Sequence, residues 1–166
     1  MSAVTRAPWV TFGCFGTLVE RQAGSDVVRP MADVEAMLAE LRARGFRLAV
    51  LTNCDDRQFE VAHRTFRQPF DLFVTSERIR GRKPAPWHFR AFEQMARVRR
   101  THWVHVGCSW NHDIGPASAL GVSAVWLDRE RTVADPRAAD LRVCTATEAV
   151  DAIAARLERS GVVMAV

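Results

Sequence analysis

Val10-Thr11-Phe12-Gly13-Cys14-Phe15-Gly16-Thr17-Leu18 is the stretch on which the reading of this chain turns. Its first residues close an apolar run, from about Pro8 to Gly13, that reads as a buried strand. The run then breaks into the turn Gly16-Thr17-Leu18. Gly13 stands at the carboxyl end of that strand, the end beyond which ligands bind in open α/β sheets. Glycine carries no side-chain lone pair, so nucleophilic catalysis cannot start from it.

Outward from this stretch, apolar runs alternate with helical patterns, which predicts βαβ units and a parallel sheet. A polar segment, Glu20 to Pro30, leads to a helix with the buried stripe Met31, Val34, Met37, Leu38 and Leu41, ended by Gly45. Phe46–Thr52 is the next strand, and an aspartate after Asn53 caps a helix to about Phe66. Phe70–Val74 reads as a short strand and Arg78–Lys83 as a basic loop. Pro84 and Pro86 open a helix bearing Trp87, Phe89, Phe92 and Met95. Then come a strand at His102–Val106, a helix from Asp113 to Leu120, a strand at Val122–Leu127 and a last helix at about Thr147–Arg159. The fold class expected is a single three-layer α/β/α domain over 1–166, with its core at about 8–159 and a tail at 160–166. Gly13, Asn53 and Gly107 all fall at carboxyl ends of strands, so topology alone places them together.

Composition narrows the function classes. A chain of 166 residues, 48% apolar and 25% charged, is long enough for a full core without disulfide or metal staples. The N-terminal MSAVTRAPWV has no apolar core of a signal peptide, and no 18 apolar residues run together. Four cysteines at irregular spacing fit a reducing compartment, so a cytoplasmic protein without membrane contact is expected. Of 23 basic residues only Lys83 is lysine, and the arginines are spread along the chain without a basic block. The net charge of +4 therefore does not point to nucleic acid.

Three further stretches carry candidate chemistry. They are Leu51-Thr52-Asn53, then Gly81-Arg82-Lys83-Pro84-Ala85-Pro86-Trp87-His88-Phe89, then Val106-Gly107-Cys108-Ser109-Trp110-Asn111-His112-Asp113-Ile114-Gly115-Pro116-Ala117. With the opening stretch they resemble, in order, the four motifs of the haloacid dehalogenase-like (HAD) superfamily. Those motifs are DxDGTL or DxYGTL, Thr/Ser before Asn, G-x-x-K-P-x-P-x-x-F, and G-D-S-x-x-x-D-x-x-G-A. The resemblance runs from Val10 to about Leu157, and its third motif is the most specific.

The resemblance implies a Rossmann-like HAD domain with the first strand central. It places Gly13 where the family has its nucleophilic aspartate, and Phe15 at the second acid, the general acid/base of the phosphatase branch. It implies that Thr52, Asn53 and Lys83 bind an anion. For magnesium it leaves Asp113 and the backbone carbonyl of Phe15, with Cys108 in place of the other acid. A thiol is a poor partner for a hard cation, so magnesium binding is expected to be weak or absent, and no other cofactor is implied. Only a dozen residues separate Leu18 from the helix near Met31, which resembles the capless class.

Two functional readings follow. One is a HAD homologue that binds an anionic small molecule or a protein partner without turnover. The other is an active phosphatase- or dehalogenase-like hydrolase using Cys108 or a water oriented by Asp113. Cys14, Cys54 and Cys108 all lie near carboxyl ends of strands, with His112 four residues beyond Cys108. They could form a zinc or thiolate site or serve as small apolar fillers. The oligomeric state is not written in the sequence.

Overall fold

Strands covered by helices on both faces must be apolar throughout, and the centre of this sheet shows it. The computed structural model describes residues 7–132 and 142–162. There β1 (Trp9–Phe12), β4 (Arg47–Thr52), β5 (Leu72–Thr75), β6 (Trp103–Gly107), β7 (Ser123–Leu127) and β8 (Arg142–Val143) form one six-stranded sheet. Its order is β5-β4-β1-β6-β7-β8, with every pairing parallel. β1 is central: Thr11 is in register with Ala49 on one side and His105 on the other.

Alternation along the strands sends side chains to two cores. Val10, Phe12, Leu48, Val50, Val104 and Val106 face α1 (Val34–Ala43) and α6 (Ala146–Arg159). Trp9, Ala49, Leu51 and Trp103 face α4 (Trp87–Ala96), through its Phe89 and Phe92. Each of the valine, leucine and phenylalanine side chains among these contributes about 1.5–3 kcal/mol by leaving water.

The polar segment before α1 folds as an antiparallel hairpin, β2 (Val19–Arg21) with β3 (Val28–Pro30). Residues read as the start of a basic loop form α3 (Ser76–Ile79), stopped by Arg80 at φ 49°. The helix α2 (Asp56–His63) starts in a capping box of Asp55 and Gln58. The helix expected from Asp113 divides into a π turn, Trp110–Ile114, capped by Ser109, and α5 (Gly115–Ala119). β8 had no pattern to announce it. Part of the apolar tail, Val163 to Val166, lies outside the described residues, as do 133–141. Among the described residues no helix is long and apolar enough to cross a membrane.

Candidate functional site

The chain leaves β1, adds β4 and β5 on one side, then returns to place β6 on the other, opening a crevice at the carboxyl ends of β1, β4 and β6. A cleft of about 370 Å³ lies there, and Gly13, Phe15, Thr52, Asn53, Lys83, Cys108 and Asp113 all line it. Every site residue singled out from the sequence is therefore brought together. The rim adds Arg21, from the β2–β3 hairpin, along with Gln58 and Arg82.

The floor is an ion pair. Lys83 and Asp113 are both buried, and the ammonium bonds the carboxylate and the carbonyl of Leu51, the latter at 2.9 Å. Asp113 Oδ2 also accepts the Ser109 N–H at 3.2 Å. Burial alone would push the Asp113 carboxyl up, but the Lys83 charge and the His105 contact outweigh it and hold it well below the usual carboxylate range.

Two glycines make room for this carboxylate. A Cβ on Gly107 would come within 2.3 Å of Asp113 Cβ. A Cβ on Gly13 would stand 3.1 Å from Thr17 Oγ1 and 3.3 Å from each Asp113 oxygen.

Behind Asp113 a buried relay crosses the sheet. Trp103 Nε1–H can only donate, and it donates to Thr11 Oγ1 at 2.7 Å. Asp113 can only accept, so His105 carries its proton on Nε2, which faces Asp113 Oδ1 at 3.4 Å. Its Nδ1 is then the acceptor for the Thr11 hydroxyl, 2.8 Å away. Burial pushes the His105 imidazole down, so the ring is neutral. The partner of His105 on the side away from Asp113 is thus a residue of β1.

Thr52 is buried and its Oγ1 accepts the Cys54 N–H at 3.2 Å, leaving its proton to donate. Asn53 does not point its carboxamide at the cleft. It clasps the backbone of Lys83, accepting Lys83 N–H at 2.7 Å and donating to Lys83 O at 3.0 Å. His88, within the third motif, is buried, with Nε2 2.8 Å from Thr52 O. Burial pushes its imidazole down to about 4.

Burial pushes the thiols of Cys14, Cys54 and Cys108 up, and Cys108 donates to the Phe15 carbonyl at 3.6 Å. Among the described residues no three His, Cys, Asp or Glu side chains are set to hold a metal. At the exposed rim, Ser109 Oγ lies 3.1 Å from His112 Nδ1 and accepts the His112 N–H, a local cap of the π turn.

The comparisons agree with this architecture. The phosphoserine phosphatase of Thermus thermophilus is 36% identical over 114 residues, 67% of this chain and 46% of that protein. The glyceraldehyde 3-phosphate phosphatase of Methanothermobacter thermautotrophicus is 32% identical over 114 residues, 66% of this chain and 49% of that protein. The chain thus spans about half the length of these curated relatives. An uncharacterized protein from Listeria monocytogenes serotype 4b shares the fold, with a TM-score of 0.77 at 20% identity over 92% of this chain and 99% of that one. The family model described as haloacid dehalogenase-like hydrolase matches residues 14–127. The chain belongs to the haloacid dehalogenase-like hydrolase family.

Proposed function

We propose that this chain is a HAD-family homologue that holds an anion in an open, capless cleft without turning it over by an aspartyl nucleophile. One observation carries this reading: Gly13 offers a hydrogen where the family's carboxylate would project, and the one acid among the described cleft residues, Asp113, is already paired with Lys83. A carboxylate bonded to an ammonium is neither a free nucleophile nor a free base.

Charge supports the anion. The cleft lining sets Arg21, Arg82 and Lys83 against Asp113 alone. The Thr52 hydroxyl and the one ammonium proton of Lys83 not used on Leu51 and Asp113 are the donors an oxyanion would meet, with Asn53 fixing where Lys83 sits. The ligand is an anionic small molecule or an anionic group borne by a protein.

The donor set does not suit magnesium. Asp113 Oδ1 is engaged by Lys83 and Oδ2 by Ser109, and an ammonium on the carboxylate repels a cation. Cys108 adds only a thiol, leaving the Phe15 carbonyl as the other hard donor. The alternative of an active hydrolase using Cys108 is opposed by a thiol held protonated.

The test combines calorimetric titration with inorganic phosphate and a phosphatase assay with magnesium. Binding by the wild type, weakened about tenfold by Thr52→Val, with turnover no higher than that of Lys83→Ala, is the expected result. Turnover that Lys83→Ala abolishes would refute the reading. Rapid, selective alkylation of Cys108 at neutral pH would favour the alternative.

A further inference from the structure

α3 and α4 present a surface that the cleft does not account for. The stretch 78–100 holds eight of the chain's 23 basic residues and one, Glu93, of its 19 acidic residues. Counted from the start of α3, these two helices and their flanking segments hold seven of the 22 arginines against two acids, Glu77 and Glu93. Three of the cations are neutralised: Arg78 by Asp56, Lys83 by Asp113 and Arg100 by Glu93. Arg80, Arg82 and Arg90 are exposed and make no ion pair among the described residues.

Beside them α4 holds two large apolar side chains in water, Trp87 at 51% and Met95 at 55% exposure. Trp87 lies opposite buried Phe89 and Phe92, and at 3.6 residues per turn Arg90 flanks it on one side and Met95, at the edge of the buried stripe seven residues after His88, on the other. The Arg90 guanidinium stands 5.6 Å from the Trp87 ring. The indole also lies against Gly81, where an added Cβ would come within 2.8 Å of its Cδ1. Trp87 is thus fixed between the Arg80–Arg82 turn and Arg90, with half its surface still in solvent. Trp, Met and Arg are the residue types enriched at the energetic centres of protein interfaces.

The charge selects the occupant. A second copy would set this positive face against itself, and like charges disfavour that pairing. A phosphodiester backbone would match the arginines but leave Met95 uncovered. A bilayer calls for a broader apolar helix face than two side chains on a ten-residue helix. We propose that the α3–α4 face docks an acidic protein segment whose apolar side chains cover Trp87 and Met95 while its carboxylates pair with Arg80 and Arg90. Arg82 alone is shared with the cleft, so this inference stands whether or not the cleft holds an anion.

The experiment is fluorescence anisotropy with a labelled synthetic peptide, helix-forming and glutamate-rich, carrying leucines at i, i+4 and i+8. Saturable binding is expected, weakened about tenfold by the R80E/R90E double variant and by Met95→Ser. These positions are exposed, so both variants should keep the wild-type melting temperature, and a peptide with serines for leucines should bind as poorly as the variants do. Equal binding by wild type and variants, or no saturable binding by the wild type, would overturn the proposal. So would tighter binding of a single-stranded oligonucleotide or of phosphatidylserine vesicles than of the peptide.

Discussion

Lys83 and Asp113 show at the scale of single residues how charge is arranged in the cleft, because each is buried and each is the other's main counter-charge. Removing one partner of such a pair strands the other charge. Asp113→Ala is expected to lower unfolding stability by about 3–5 kcal/mol in urea titrations, and adding Lys83→Met should recover part of it. The depressed Asp113 carboxyl contributes stability that is present above its ordinary titration range and lost as pH falls below about 4. Its replacement should therefore flatten the acid limb of the stability curve. His88 acts at higher pH: its folded value is about 4 against 6.5 unfolded, so the unfolded chain takes up protons first and stability falls as pH drops from 6.5 towards 4. His88→Gln should remove much of that slope, read by melting temperature across the window.

Among the elements, the turn after β1 shows the closest coupling of backbone and side chain. Gly16 has φ 80°, and a Cβ there would meet Cys108 Sγ at 2.7 Å. Gly16→Ala is expected to cost about 1–3 kcal/mol. Adding Cys108→Ala should restore the share due to the collision and leave the share due to the backbone. At the other end of the chain, Thr145 and Glu148 form the capping box of α6, so Thr145→Ala should cost about 1 kcal/mol in the same measurement.

The same elements show what sequence could reveal. β1, β4, β6 and β7 were legible because strands buried on both faces are nearly unbroken apolar runs. β8, at two residues, and α3, at four, are too short to carry a period. Thr52, Lys83 and Asp113 could be named because they sit in spaced motifs. The clasp of Asn53 on Lys83 spans 30 residues and the Thr11–His105 bond spans 94, so neither leaves a local pattern.

At the scale of the whole molecule, the described residues place a cleft lined by Arg21, Arg82 and Lys83 at the carboxyl ends of a parallel sheet, with the β2–β3 hairpin supplying part of its rim. An anion held there by Arg21, Arg82 and Lys83 should bind less tightly as ionic strength rises, since two of the three cations are exposed. Gly13→Asp should not create an enzyme. The new carboxylate would crowd Thr17 and Asp113 and compete with Asp113 for one ammonium, so the variant is expected to lose stability and show no turnover. The central claim, that no side chain in this cleft attacks a phosphoryl group, is tested most directly by intact-mass spectrometry after acid quench of the wild-type chain incubated with acetyl phosphate and magnesium. An unmodified mass at every time point is the predicted result; a phosphoryl adduct, mapped by fragmentation to a residue lining the cleft, would contradict it.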